Sequence, residues 1–255
     1  MKLKFLGTGS ALGVPIWSCN CNTCTSTDKK NKRYRSSFMV EINNKIIIID
    51  FGQDFRIQLI ENNIKKIDYA FLTHPHIDHM GGYENLSKAG KCTVQTPRDV
   101  LEEFYKRQGT SREWLKTRNP DIIIKEFEKL KIEDLEIDTI KLEHKKDYSD
   151  VQVPCYGYLF KSEKFKFAYM SDYNKILEHE KIEGLDLIIS DGNEMDDLGH
   201  GHVGINGSIE VYKKYKPKKM ILTHLKHDLE HYETQEYVKK FGNIDIAYDG
   251  MEVTI

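Results

Sequence analysis

The sequence predicts an α/β protein built from two similar αβ halves that face each other. Three observations lead there. Apolar runs bounded by turn residues recur along the chain and read as strands, with helix-like stretches between them. A strand, polar ligand, helix order occurs twice, at Ala70-Phe71-Leu72 before Thr73-His74 and at Lys219-Met220-Ile221-Leu222 before Thr223-His224. The His and Asp clusters lie just past such runs, which gathers polar groups along one edge of the sheets.

The bulk numbers bound the answer. A chain of 255 residues suffices for one large two-layered core, so residues 1–255 are expected to form a single domain. Lys and Arg total 38 against 40 Asp and Glu, a net charge of -2, so no global field recruits nucleic acid or an anionic membrane. Met1 to Gly7 enters a strand at once, without the apolar core of a signal peptide, and no run reaches membrane-spanning length; the expectation is a cytoplasmic protein. Five cysteines, three of them crowded, argue for a metal site in a reducing compartment and against disulfides.

Lys2 to Leu6 alternates polar and apolar and reads as an edge strand, which Gly7-Thr8-Gly9-Ser10 breaks into a loop near the site. In Trp17 to Cys24, thiols at Cys19, Cys21 and Cys24 can wrap one soft ion in a knuckle at about residues 17–27. A closed structural zinc site wants a fourth ligand from elsewhere; the competing reading is a cluster of unpaired buried cysteines. Cys92 and Cys155 read as small core residues. Arg35, in the basic run ending at Ser36, is carried as a contact for a substrate phosphate, since guanidinium grips phosphate oxygens in pairs.

Phe38 to Ile42 and Lys45 to Asp50, joined by Asn43-Asn44, make a hairpin whose second strand is apolar on both faces and therefore central. Asp50 at its end either caps the helix starting near Gln53 or orients a metal-bound histidine, the reading preferred here. The next strand delivers Thr73-His74-Pro75-His76-Ile77-Asp78-His79. His74 and His76 alternate on an extended turn, and Asp78 and His79 open a helix, so the pairs can address two ions a few Å apart. Imidazole and carboxylate without thiolate suit zinc, manganese or iron, and open positions on such ions are what hydrolysis needs.

Thr93 to Thr96 reads as a strand and Pro97 to Lys106 as a helix with Pro in its first turn. Gln108 to Pro120 reads as a lid or a dimer contact, with Trp114 its one large aromatic. Glu136 to Glu143 alternates and delivers His144. Tyr156 to Phe160 and Phe165 to Met170 read as paired strands; Asp172 follows the second and is placed to bridge two ions. Leu185 to Ser190 is a further central strand, followed by an acidic turn, by His200-Gly201-His202 in a Gly-rich loop, and by a helix over 205–215.

His74-x-His76-x-Asp78-His79 resembles the signature of the metallo-β-lactamase superfamily of two-metal hydrolases. The resemblance covers nearly the whole chain and implies an αββα sandwich, two mixed sheets flanked by helices. It implies one metal on His74, His76 and His144, another on Asp78, His79 and His224, and Asp172 between them. The glycine loop at 7–10, the three cysteines, His202, Thr223-His224-x2-His227 and Tyr248-Asp249-Gly250-Met251-Glu252 are more narrowly similar to the PhnP family, the phosphoribosyl cyclic phosphodiesterases. That resemblance makes His227 the fourth ligand of a structural zinc and His202 the general acid, with Asp78 a partner in proton handling and His200 the alternative acid near the substrate. Gly204 stands where that family suggests a polar residue.

The chemistry implied is opening of a small, ribosyl cyclic phosphate by a hydroxide held between two divalent ions, manganese or zinc, with His202 protonating the leaving oxygen. The partner expected is a small phosphorylated substrate, with a homodimer left open. A metal-dependent ribonuclease that processes tRNA and a cofactor-biosynthesis metal protein of the same fold are the alternatives; the near-neutral charge disfavours the first.

Overall fold

The computed structural model describes residues 1–109, 111–145, 151–198 and 201–254. The first sheet carries β1 (Lys2–Gly7), β2 (Ser37–Ile42), β3 (Lys45–Ile49), β4 (Tyr69–Phe71), β5 (Thr93–Thr96) and β6 (Ile123–Glu126). The second carries β7 (Leu130–Ile132), β8 (Leu135–Lys145), β9 (Gln152–Lys161), β10 (Lys166–Tyr169), β11 (Lys175–Ile176), β12 (Leu187–Asp191), β13 (Lys219–Thr223) and β14 (Ile244–Ile246). A last strand, β15 (Glu252–Thr254), crosses back to the first sheet. The spatial orders are β15-β1-β2-β3-β4-β5-β6 and β11-β8-β9-β10-β12-β13-β14, with β7 on β8. The helices are α1 (Asn22–Thr25), α2 (Phe55–Glu61), α3 (Ile77–Met80), α4 (Arg98–Gln108), α5 (Ser111–Arg118), α6 (Gly204–Tyr215) and α7 (His231–Lys239).

Side-chain alternation explains why the middle strands are apolar throughout. Ile47 and Ile49 of β3 pack with Tyr158, Phe160, Phe167 and Ile189 of the second sheet, whereas Ile48 packs with Phe55 of α2 and Val100 and Phe104 of α4. In the second sheet, Leu187 and Ile189 face the first sheet while Ile188 meets Ile205 and Ile209 of α6 and Val238 of α7. Each central strand therefore serves two of three apolar layers, and the architecture is an αββα sandwich.

The hairpin turn has Asn43 at φ 48° and Asn44 at φ 62°, the pair of positive angles that suits a two-residue turn between twisted strands. β1 is not the edge its alternation suggested, because β15 pairs antiparallel along it with Lys2 opposite Thr254. Its polar face instead carries Lys2 and Lys4, whose Nζ atoms lie 2.8 and 3.0 Å from Glu252. The stretch 108–120 contains α5, which buries Leu115 and sets Trp114 edge-on against Tyr83. Among the described residues, no helix is long and apolar enough to cross a membrane.

What positions the site is strand direction. β3, β4 and β5 run parallel, as do β10, β12 and β13, so the carboxyl ends of each set open on one edge. Asp50, Thr73-His74, Asp172, Asp191 and His224 all lie at or just beyond those ends, the place where open α/β sheets bind ligands.

Candidate metal centre and catalytic cleft

Beyond β4 the chain turns into the single turn of α3, where His79 and Met80 N–H groups both donate to the His76 carbonyl at 3.1 Å. The exit of β3 lies directly against this turn: Phe51 N–H donates to the His79 carbonyl at 2.6 Å, and a Cβ on Gly52 would stand 1.8 Å from the Asp78 carbonyl oxygen. Only glycine permits that approach.

Two groups of donor atoms result. His74, His76 and His144 converge, as do Asp78, His79, Asp172 and His224; within each group the atoms lie within 4.8 Å of one another. His144 Nε2 is 3.3 Å from His76 Nδ1. A single oxygen, Asp172 Oδ2, lies 3.6 Å from His74 Nε2, 3.4 Å from His79 Nε2 and 3.3 Å from His224 Nε2, which sets Asp172 between the groups. Asp78 Oδ2 lies 3.3 Å from His79 Nε2 and 3.6 Å from His224 Nε2.

The far side of each imidazole is held by the protein. His74 Nδ1 meets Thr73 Oγ1 at 2.9 Å, His79 Nδ1 meets Asp50 Oδ2 at 2.8 Å, and His144 Nδ1 donates to the Gly201 carbonyl at 2.9 Å. The Asn193 amide lies 3.0 Å from His224 Nδ1. Asp50 also accepts from the Thr73 N–H and hydroxyl, so it orients His79 and does not cap a helix; Asp54 stands at the start of α2 instead.

These residues fit divalent cations. His74 Nε2, His79 Nε2, His224 Nε2 and Asp172 Oδ1 are buried with no hydrogen-bond partner, an expensive arrangement unless the atoms face an ion. Donor spacings of 3.3 to 3.6 Å match the edge of a tetrahedron with metal–ligand distances of about 2.0–2.2 Å. Burial, then the His144 ring, pushes His76 down to about 3, and burial chiefly lowers His74 and His144, keeping these rings in the neutral form that ligates. Burial alone would raise Asp172, but the His224 and His79 rings outweigh it and hold the carboxyl well below the usual range. Burial would lower His79, yet Asp172, Asp78 and Asp50 outweigh it and raise it; three carboxylates there ask for positive charge.

His202 lies beside this centre, its ring 5.2 Å from those of both His144 and His224. Its Nδ1 meets Asp191 Oδ2 at 2.8 Å. Asp191 is therefore the carboxylate that holds its ring, while Asp78 Oδ2 faces His79 and His224. Asp191 and Asn193 are the residues sequence reasoning passed over as an acidic turn. The signal was present: Asp191 ends a buried strand just as Asp50 and Asp172 follow one. Gly204 has φ +69°, and a Cβ there would lie 3.0 Å from the Glu194 carbonyl, so the loop after His202 needs glycine where a polar residue was anticipated.

Arg35 Nη1 forks onto both Asp54 oxygens at 3.0 Å and its Nε donates to the Ala11 carbonyl at 2.9 Å, so the guanidinium braces the Ser10–Leu12 wall of the cleft. His200 lies outside the described residues.

Asp191, His202 and His224 also converge, sharing His224 with the second group, and a fourth group stands apart. Cys19, Cys21, Cys24 and His227 bring their donor atoms within 4.8 Å of one another, with His227 Nδ1 3.4 Å from Cys21 Sγ and 3.5 Å from Cys19 Sγ. The Cys24 N–H donates to Cys21 Sγ, which heads the causes that lower that thiol to about 6, toward the thiolate a metal needs. His227 is three residues past His224, so one short segment serves both centres. Cys92 and Cys155 are buried elsewhere in the apolar layers.

Comparisons with known proteins agree with this fold. The chain is 27% identical over its full length to an octanoyltransferase of Porphyromonas gingivalis, of which it spans 52%. It superposes on a crystal structure of a diphosphatase from the PhnP family with a TM-score of 0.86 and 26% identity, covering 100% of this chain and 97% of the other. It superposes on zinc-bound PqqB from Methylobacterium extorquens with a TM-score of 0.84 and 17% identity over the whole of both chains. The β-lactamase superfamily domain model matches residues 45–225, most of the chain and both ligand groups, and the protein belongs to that superfamily, with the metallo-β-lactamase fold.

Proposed function

We propose that this chain is a metal-dependent hydrolase that opens a small cyclic phosphodiester, on a ribosyl or similar unit, to a phosphomonoester. The observation that carries the reading is the position of His202 beside two fused ligand groups, with its Nδ1 fixed by buried Asp191.

His74, His76 and His144 would hold one divalent ion, and Asp78, His79 and His224 the other, with Asp172 shared. When bound, such ions neutralise charge on phosphoryl oxygens and bring the pKa of water toward neutrality. The protein's own part is orientation and proton transfer. Thr73, Asp50 and the Gly201 carbonyl fix three imidazoles so that their inner nitrogens converge without rearrangement. Asp191 accepts from Nδ1–H of His202 and supports the doubly protonated ring, whose second proton, on Nε2, goes to the departing alkoxide and leaves the neutral imidazole. Leu12, Ile16 and Ile77 give the cleft an apolar wall beside the ligand groups. The knuckle would hold a structural zinc that ties the N-terminal segment to the His224–His227 turn.

The test is turnover by the purified, metal-loaded protein. Phosphorus NMR with 5-phosphoribosyl 1,2-cyclic phosphate and 2′,3′-cyclic nucleotides should show ring opening to a monoester, and His202→Ala should abolish it with metal content retained. A metal-loaded protein that turns over neither these nor bis(p-nitrophenyl) phosphate is not a phosphodiesterase.

A further inference from the structure

Tyr173 directly follows Asp172, the carboxylate set between the two ligand groups, and the steps above do not use it. It is 1% exposed, and its ring lies in the apolar layer with Ile188, Ile205 and Ile209. Phenylalanine would satisfy that packing, so the hydroxyl needs a reason of its own: a phenol buried without a partner destabilises the fold. The partner is Ser190, whose Oγ lies 2.6 Å away. Ser190 Oγ in turn lies 2.8 Å from Ser208 Oγ, and the Ser208 hydroxyl donates to the Asp191 carbonyl at 2.7 Å. Each hydroxyl has one hydrogen, and that of Ser208 goes to a carbonyl that can only accept. Ser190 therefore donates to Ser208 and Tyr173 to Ser190, a one-way chain from Tyr173 through β12 to α6 and back to Asp191. Burial pushes the Tyr173 hydroxyl up, which keeps it a donor.

The backbone of the same residue holds both halves of the acid. The Tyr173 N–H donates to Asp191 Oδ2 at 3.4 Å, the oxygen that also meets His202 Nδ1 at 2.8 Å. The Tyr173 carbonyl accepts from the Val203 N–H at 2.7 Å, one residue past His202. Asp191 and the His202 loop are thus tied to one point, a single peptide away from Asp172. A slip of β12 against α6 would move the His202 ring relative to the ligand groups, and a misplacement of about 1 Å can cost on the order of 10²-fold in rate.

We infer that Tyr173, through the Ser190–Ser208 hydroxyl chain, is a positioning residue that sets the general acid His202 at its working distance from the ligand groups. This rests on the phosphodiesterase reading and adds to it a residue that acts through Asp191. A positioned proton matters only where the leaving group needs one: the alkoxide of a cyclic nucleotide does, and p-nitrophenolate hardly does. A misplaced acid therefore slows one substrate and spares the other, whereas loosened ligand groups slow both.

The experiment compares adenosine 2′,3′-cyclic phosphate with bis(p-nitrophenyl) phosphate on zinc-loaded wild type, Tyr173→Phe and Ser208→Ala. Each variant should lose about tenfold or more in kcat on the cyclic substrate, while KM, metal content and the rate on the nitrophenyl ester stay within about twofold of wild type. In a His202→Ala background, Tyr173→Phe should cost nothing further on the residual rate. Equal slowing of both substrates, a variant at full rate on the cyclic one, or an undiminished loss in the His202→Ala background overturns the inference. If wild type turns over neither diester, the hydrolase reading fails on its own, and NMR of the zinc-loaded protein with isotope-labelled histidine then reads the clamp directly. The downfield N–H signal of His202 on Asp191, assigned by its loss in His202→Ala, should move or broaden in Tyr173→Phe while that of His79 on Asp50 stays. An unmoved His202 signal overturns the inference.

Discussion

His202 Nδ1 and Asp191 Oδ2 lie 2.8 Å apart, both buried, with Asp191 also accepting from the Asn193 N–H at 2.8 Å. The carboxylate thus fixes the tautomer and the direction of the one imidazole that borders the ligand groups without joining either of the two proposed ion sites.

Replacing Asp191 with Asn should therefore act through His202. The expected loss in kcat on a cyclic phosphodiester is about 10²–10⁴-fold, the range of a mis-set general acid. Metal content by atomic emission should stay at the wild-type value. An equal fall in bound metal would mean that Asp191 serves the ligand groups and not the acid.

Asp50 is fully buried and holds His79 and Thr73 together. In Asp50→Ala, His79 loses its orienting partner, and metal affinity should fall by about 10–100-fold. The Thr73 N–H is left without its acceptor, which should cost about 1–3 kcal/mol of stability. Competition titration with a chromogenic chelator reads the first effect and urea unfolding the second.

The knuckle predicts its own metal count. Cys21→Ser removes the thiol that both the Cys24 N–H and His227 contact. One metal equivalent per chain should be lost while the catalytic complement stays. A cost of at least ~2 kcal/mol would lower Tm by roughly 4–8 °C for a chain of this size. An unchanged metal count would leave the thiols without a structural ion.

Asp249 gives a pH signature away from the metals. Burial pushes its carboxyl up to about 7 from an ordinary 3.8, although the Thr8 hydroxyl and the Tyr34 N–H both donate to it. The folded state then holds a proton that the unfolded chain releases between those values. The corresponding stability is complete at the acid end of the window and is lost as pH rises through about 7. Asp249→Asn imitates the protonated form, so it should match wild type near the acid end and exceed it at pH 8 by up to about 4 kcal/mol. Urea midpoints across that range check it; a variant destabilised equally at every pH contradicts it.

Much of this protein was legible in its sequence because the signals were local. The alternation of Glu136 to Glu143, the Asn43-Asn44 turn and the unbroken apolar run of Lys45 to Asp50 report periods and turns that neighbouring residues define among themselves. His74 to His79 pointed to a candidate metal centre by the same logic, since spacing on a strand exit and one helical turn fixes where donors point. The positions of His144, Asp172 and His224 at strand ends followed once strands were drawn.

What the sequence could not decide is which partner a side chain takes from far along the chain. His202 chose Asp191 over Asp78 because β12 ends beneath its loop while Asp78 turns inward with α3. Arg35 met Asp54 and Ala11, and β1 gained β15 from the other end of the chain. Such pairings depend on the path of the backbone through the sandwich, and a period of 2 or 3.6 residues carries no information about that path.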